Sequence, residues 1–244
     1  MDVDLTKSTR AETAAHFELK RLALLWAQAH GYSACAFEVS LPRSRYRADV
    51  AAYRPDPKGI GSTAVFECKQ ALPDLRRDNG CTAATKARLE TVYRRRQILE
   101  KHLRVHYPAL RMADSLFAEF ESHNFSAIGH RGYTAVLREL NALQNRLFDC
   151  TKFETLIHYR CANLFFLVLS KELFRPSEIP VGWGALVQSE EGFTLMRKPS
   201  WHDVTTEHQT RFLERIARAG TRALNRQLNV TFDEVSTARC RSFL

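Results

Sequence analysis

Arg47-Ala48-Asp49-Val50-Ala51-Ala52-Tyr53 and Ala64-Val65-Phe66-Glu67-Cys68-Lys69-Gln70 are the two segments whose reading decides the fold. Both are short, apolar and rich in strand-forming residues. Between them lies Arg54-Pro55-Asp56-Pro57-Lys58-Gly59-Ile60-Gly61-Ser62, a stretch of turn residues. An antiparallel hairpin turning near position 58 pairs residues whose numbers sum to about 116. In that register Asp49 faces Glu67, and alternation puts Glu67 and Lys69 on one side of the strand with Cys68 on the other. Three charges are therefore expected at one end of an apolar hairpin. Adjacent carboxylates repel, and burial raises that cost. A divalent cation relieves it: Mg²⁺ takes one or two carboxylates together with waters and phosphate oxygens. Lys69 would then stand beside the attacking water and a substrate phosphate.

Working outward, Thr9-Arg10-Ala11-Glu12 has the form of a capping box, predicting a helix from there to about His30. Leu19, Leu22, Leu25, Trp26 and Ala29 are its expected buried stripe. Glu18 falls on that stripe. It either pairs with an arginine at the stripe's edge or joins the acidic site. Tyr32–Leu41 reads as the first strand, where Glu38 either lines the site or pairs with Arg47. Pro73 suits a helix start, and Asp74 and Asp78, four apart, are either outer ligands or solvated carboxylates.

Residues 82–160 change character. Ala83–His106 reads as a long basic helix containing Arg94-Arg95-Arg96, which is either a phosphate-contacting arm or a solvated face. A short segment is expected at Ser115–Phe120 and another helix at Tyr133–Phe148. Beyond these, Leu164–Leu169 is the most apolar strand and belongs at the centre of the sheet. Trp183–Gln188 and Phe193–Arg197 read as two further strands, and Thr206–Leu228 as a closing helix. Strands, then helices, then strands predict an α/β fold: a mixed sheet flanked by helices. Residues 1–81 and 161–244 form its core, and 82–160 form a helical insertion.

The 244 residues carry 36 Lys and Arg against 27 Asp and Glu, a net charge of +9, which favours a polyanionic partner. No two of the six cysteines have C-x-x-C spacing, so neither a zinc ribbon nor a thioredoxin motif is expected. The N-terminus lacks the form of a signal peptide, and the longest apolar run is too short to span a bilayer. A cytoplasmic protein with reduced thiols and no membrane partner is expected.

The order of a helix with Glu18, a strand, Arg47-Ala48-Asp49-Val50, a turn and Phe66-Glu67-Cys68-Lys69 resembles the PD-(D/E)XK nuclease superfamily. Phe165-Phe166-Leu167-Val168 and Gly182-Trp183-Gly184-Ala185-Leu186-Val187 are similar to the last core strands of its MmcB-like DNA-repair branch. The motif's Pro is replaced here by Ala48, and the insertion before the next core strand is larger than usual.

The resemblance implies a restriction-endonuclease-like core and a Mg²⁺- or Mn²⁺-dependent nuclease acting on DNA in repair, restriction or defence, with a homodimer as one route to double-strand cuts. It implies that Asp49, Glu67 and the Cys68 carbonyl ligate the metal. Glu18 would be a further ligand from the helix, Lys69 would act on the water, and Gln70 would contact DNA or the water. Arg45 and Arg47, with Arg94, Arg95 and Arg96, are the candidate nucleic-acid contacts. The competing expectation is a nucleic-acid-binding protein of the same fold without catalysis.

Overall fold

A computed structural model describes residues 13–42, 44–57, 59–70, 83–108, 125–148, 153, 156–157, 159–190 and 192–231. The expected features at Thr9–Glu12, Asp74, Asp78 and Ser115–Phe120 lie outside these residues. Among the described residues, the chain is an α/β fold of six strands in one mixed sheet, flanked by four helices.

The first helix, α1 (Ala14–Ala29), begins at Thr13, whose hydroxyl accepts a hydrogen bond from the His16 amide at 3.2 Å. Three antiparallel strands follow: β1 (Ala34–Ser40), β2 (Arg47–Asp56) and β3 (Gly59–Lys69). Helices α2 (Ala83–His106) and α3 (Arg131–Phe148) form the crossover to β4 (Leu164–Leu169), which pairs parallel to β3. β5 (Gly184–Ser189) is parallel to β4, and β6 (Gly192–Arg197) closes the edge antiparallel to β5. The strands stand in sequence order, and α4 (Thr206–Gln227) is the last described element.

The hairpin register is the expected one. Pairs run from Arg54↔Ser62 to Val50↔Phe66, each summing to 116. The turn is tighter than its composition predicts, because most of the Pro/Gly stretch belongs to the strands. There the ladder shifts register between Arg54 and Asp56, and Gly61 fits only because it lacks a side chain. A Cβ on Gly61 would lie 1.8 Å from the Arg54 carbonyl oxygen.

Two hydrophobic layers cover the sheet. α1 buries Leu19, Ala23, Trp26 and Ala27 against Val50, Ala64, Phe66, Phe166 and Leu186. The Phe66 and Phe166 rings stack there, with centroids 4.9 Å apart. On the other face α2, α3 and α4 pack Leu89, Val92, Leu140, Phe212 and Ile216 over Ala51, Val65, Phe165 and Leu167. The helical insertion thus belongs to the main core. β4 is buried on both faces, as its unbroken apolar run predicts.

A forked sheet edge as the candidate functional site

The β2–β3 ladder stops at Val50↔Phe66, while each strand continues with its other neighbour. β2 stays paired with β1 to Ser40↔Arg47, and β3 stays paired with β4 to Lys69↔Leu169. The two strands therefore fork at Asp49 and Glu67. Forking strips β3 of main-chain partners on that side, and the Asp49 side chain replaces one of them. Its Oδ2 accepts the Cys68 amide hydrogen at 2.7 Å.

The fork coincides with a break in the pleat. On a regular strand, residues two apart share a face. Here Phe37 and Val50 pack on the α1 side, whereas Val39 and Ala48 pack on the other. The residue between Phe37 and Val39 is Glu38, whose φ of 55° is in the left-handed region. A non-glycine residue there costs on the order of 1–3 kcal/mol, a strain that concentrates at functional sites.

That break turns both acids toward α1. Lys20, only 3% exposed, bonds Glu38 Oε1 and lies 3.8 Å from Asp49 Oδ1. Glu38 Oε2 lies 3.3 Å from Arg47 Nη1, so the expected Glu38–Arg47 pair is present and Glu38 is also part of the cluster. His16 Nε2 lies 3.8 Å from Asp49 Oδ2 and 3.2 Å from the Cys68 carbonyl oxygen. The carboxylate and carbonyl thus converge on one ring nitrogen. Burial pulls the Asp49 pKa upward. The His16 and Cys68 hydrogen bonds, with the charges of Lys20 and Lys69, overcome this and hold it below the ordinary carboxylate value.

Glu67, 1% exposed, and half-buried Lys69 leave β3 on the opposite side from Phe66 and Cys68. Asp49 therefore does not face Glu67 in a flat pair as the register alone predicts, because the pleat break rotates it toward α1. Burial, then Asp49 and Glu67, push the Cys68 thiol pKa well up, while Lys20 and Lys69 oppose the shift.

Three other expectations are corrected, those for Glu18, for the buried stripe of α1 and for Arg96. Glu18 is not in the site: its carboxylate bonds Arg21 at 2.7 and 2.8 Å, and its side chain is 44% exposed. At about 100° per residue it stands far around α1 from His16 and Lys20, which share a face. The buried stripe includes Lys20, Ala23 and Ala27, while Leu25 and Ala29 are exposed. Gln70 is tied to the start of α1 through the Thr13 hydroxyl, so its amide oxygen is engaged within the fold. Arg96 is 5% exposed and bonds Glu100 at 2.6 Å, a structural pair rather than a phosphate contact. Arg94 and Arg95 are exposed, as are Arg45 and Arg47 beside the fork.

His16 and Lys20 are the site residues missing from the sequence reading. Their signal was present: with Leu19, Ala23, Trp26 and Ala27 they complete one i, i+3, i+4 face.

Among the described residues no three His, Cys, Asp or Glu side chains gather as a ready metal cluster. No family model matches the chain, and no curated protein does. A solved structure of a protein of unknown function from Silicibacter pomeroyi is similar at 13% identity. It matches over 88% of this chain and 92% of its own, with a TM-score of 0.46. Among the described residues no helix is long and apolar enough to cross a membrane.

Proposed function

We propose that the chain is a metal-dependent nuclease of the PD-(D/E)XK type, hydrolysing phosphodiester bonds in DNA, with the forked edge as its active site. The observation that supports this best is the convergence at the fork: an ionised Asp49 and the Cys68 carbonyl meet at one nitrogen, with Glu67 and Lys69 on the same strand end. The meander β1-β2-β3, the helical crossover and the parallel β4 also agree with a restriction-endonuclease-like core.

The donor set suits a hard cation. Asp49 and the Cys68 carbonyl supply oxygen donors that already converge near His16 Nε2, and Glu67 would add a carboxylate from the other side of β3. These three groups would hold Mg²⁺ or Mn²⁺, which, when bound, acidifies water and neutralises charge in the transition state. Lys69 presents a proton donor and positive charge to the attacking water and a non-bridging phosphate oxygen. Lys20 holds Asp49 and Glu38 in orientation through its buried ammonium. Arg45 and Arg47 supply positive charge at the mouth of the fork.

A second reading has its own support. Lys20 already balances Asp49 and Glu38, and no three-ligand cluster is present among the described residues. A protein that binds nucleic acid without cutting it would need no more. Incubation with plasmid and single-stranded DNA, in Mg²⁺, Mn²⁺ or chelator, separates the two. The nuclease reading predicts metal-dependent cutting by the wild type, lost in Lys69→Ala. Binding without cutting by the wild type supports the second reading.

A further inference from the structure

We propose that α4 carries a separate binding surface for the phosphodiester backbone of duplex nucleic acid, built from Arg211, Arg215, Arg218, Arg222 and Arg226. The partner is that of the reading above, but the surface needs no cleavage.

The helix has five arginines, two glutamates and no lysine or aspartate. At about 100° per residue, the five arginines fall within an arc of about 80°. They run for about 22 Å at 1.5 Å per residue, a length over which a duplex presents roughly a dozen phosphates. Four are exposed and Arg215 is half-buried. Glu207 pairs with Arg211 at 2.6 Å, and Glu214 lies on the flank of the stripe, so the surface keeps a clear positive excess.

α2 shows that this is a matter of placement, not composition. Its seven Lys and Arg residues are spread around the whole helix. Several are already engaged: Arg88 with Glu139 at 2.7 Å, Arg96 with Glu100, and Arg104 over the Phe125 ring. The apolar face of α4 is committed to the core through Phe212, Ile216 and Ala219, so most of the helix cannot lie in a bilayer on that face.

The stripe also leads to the fork. Arg215 Nη1 donates to the Ser40 carbonyl at 3.3 Å, and Ser40 pairs with Arg47. Arg47 bonds Glu38 of the site cluster. The middle of α4 therefore packs beside the strand end that carries Arg47.

Fluorescence anisotropy of a labelled 20-base-pair duplex, titrated over stepped KCl in chelator, tests this without cleavage. Replacing Arg211, Arg218, Arg222 and Arg226 by Gln should weaken binding roughly 10-fold or more. It should also flatten the salt dependence by about 0.9 for each phosphate that is no longer neutralised. The matching Lys variant should retain most of the affinity, and Arg94→Gln with Arg95→Gln should change it little. Circular dichroism confirms folding of each variant, and Mn²⁺ binding, measured separately, reports on the fork. Leu224 and Leu228 are exposed at the end of α4, so vesicles rich in anionic lipid form the competing arm. Wild-type affinity in the Gln variant, absence of duplex binding by the wild type, or a loss confined to vesicles would each overturn the proposal.

Discussion

The two ends of the β2–β3 hairpin each hold a buried polar cluster, and they are built on opposite principles. At the closed end the groups are neutral and mutually bonded. Asn163 Oδ1 accepts from the Thr63 amide and hydroxyl, both at 2.9 Å, and from Gln209 Nε2 at 3.0 Å. Its Nδ2 donates to the His202 carbonyl at 3.0 Å, and Gln209 also bonds the Gly61 carbonyl. That network ties β3, β4 and α4 together. At the forked end the groups are charged, main-chain pairing has stopped, and Glu38 is in a strained conformation. A satisfied neutral network specifies structure. The charged cluster at the broken ladder is where the proposed chemistry is placed.

The largest expected effect falls at the fork. Asp49→Asn keeps an acceptor for the Cys68 amide and removes the charge. It should lower metal-dependent DNA cleavage roughly 100-fold or more while costing about 1–2 kcal/mol of stability, since Lys20 keeps Glu38 as a partner. Rate assays and denaturant melts on the same preparation read both. A large loss of stability with unaltered cleavage would erase the contrast between the two ends.

The reciprocal change is Asn163→Ala. It removes the acceptor shared by Thr63 and Gln209 and should destabilise the fold by about 3 kcal/mol, seen as a lower denaturant midpoint. Cleavage per folded molecule should be unchanged.

The closed end should also dominate the acid response. Burial and Arg160 hold the His202 pKa at about 4, with Asp203 opposing them. Above pH 6.5 neither state binds this proton. Below it the unfolded chain binds first, so stability falls between pH 6.5 and 4 by about 3 kcal/mol. Asp49, whose pKa is lowered in the fold, loses stability in the same direction as pH falls through its folded value. Melts of His202→Gln, which keeps the main-chain bonds to Asn163, should show a smaller loss over that window.

The smallest effect is expected at Glu18. Its ion pair with Arg21 is exposed to solvent and stands apart from the fork. Glu18→Ala should therefore leave both the denaturant midpoint and Mn²⁺ binding at their wild-type values.

These contrasts mark what the sequence could convey. The hairpin register was legible because turn residues fix a centre and apolar alternation fixes the phase. The apolar run at Leu164–Leu169 likewise declared a buried strand. The inward face of α1 was legible in part, through Leu19 and Trp26, and that of β1 was not. Lys20 falls on the stripe by its spacing, but its burial depends on Glu38 and Asp49, which are distant in sequence. Glu38 gave no local sign of a positive φ, which is imposed where β1 and β2 leave regular alternation. Asn163 likewise gained its role only from the strands and helix that meet around it. Arg94-Arg95-Arg96 stood out as a run, yet a helix scatters neighbours in sequence around its axis. The arginines of α4, spaced three and four apart, form the coherent stripe.

Mn²⁺ titration calorimetry on wild type, Asp49→Asn and Glu67→Gln tests the forked edge most directly. Binding to the wild type, sharply weakened by each substitution, is the predicted result. No heat from the wild type, or equal binding by all three proteins, would contradict a cation site shared by Asp49 and Glu67.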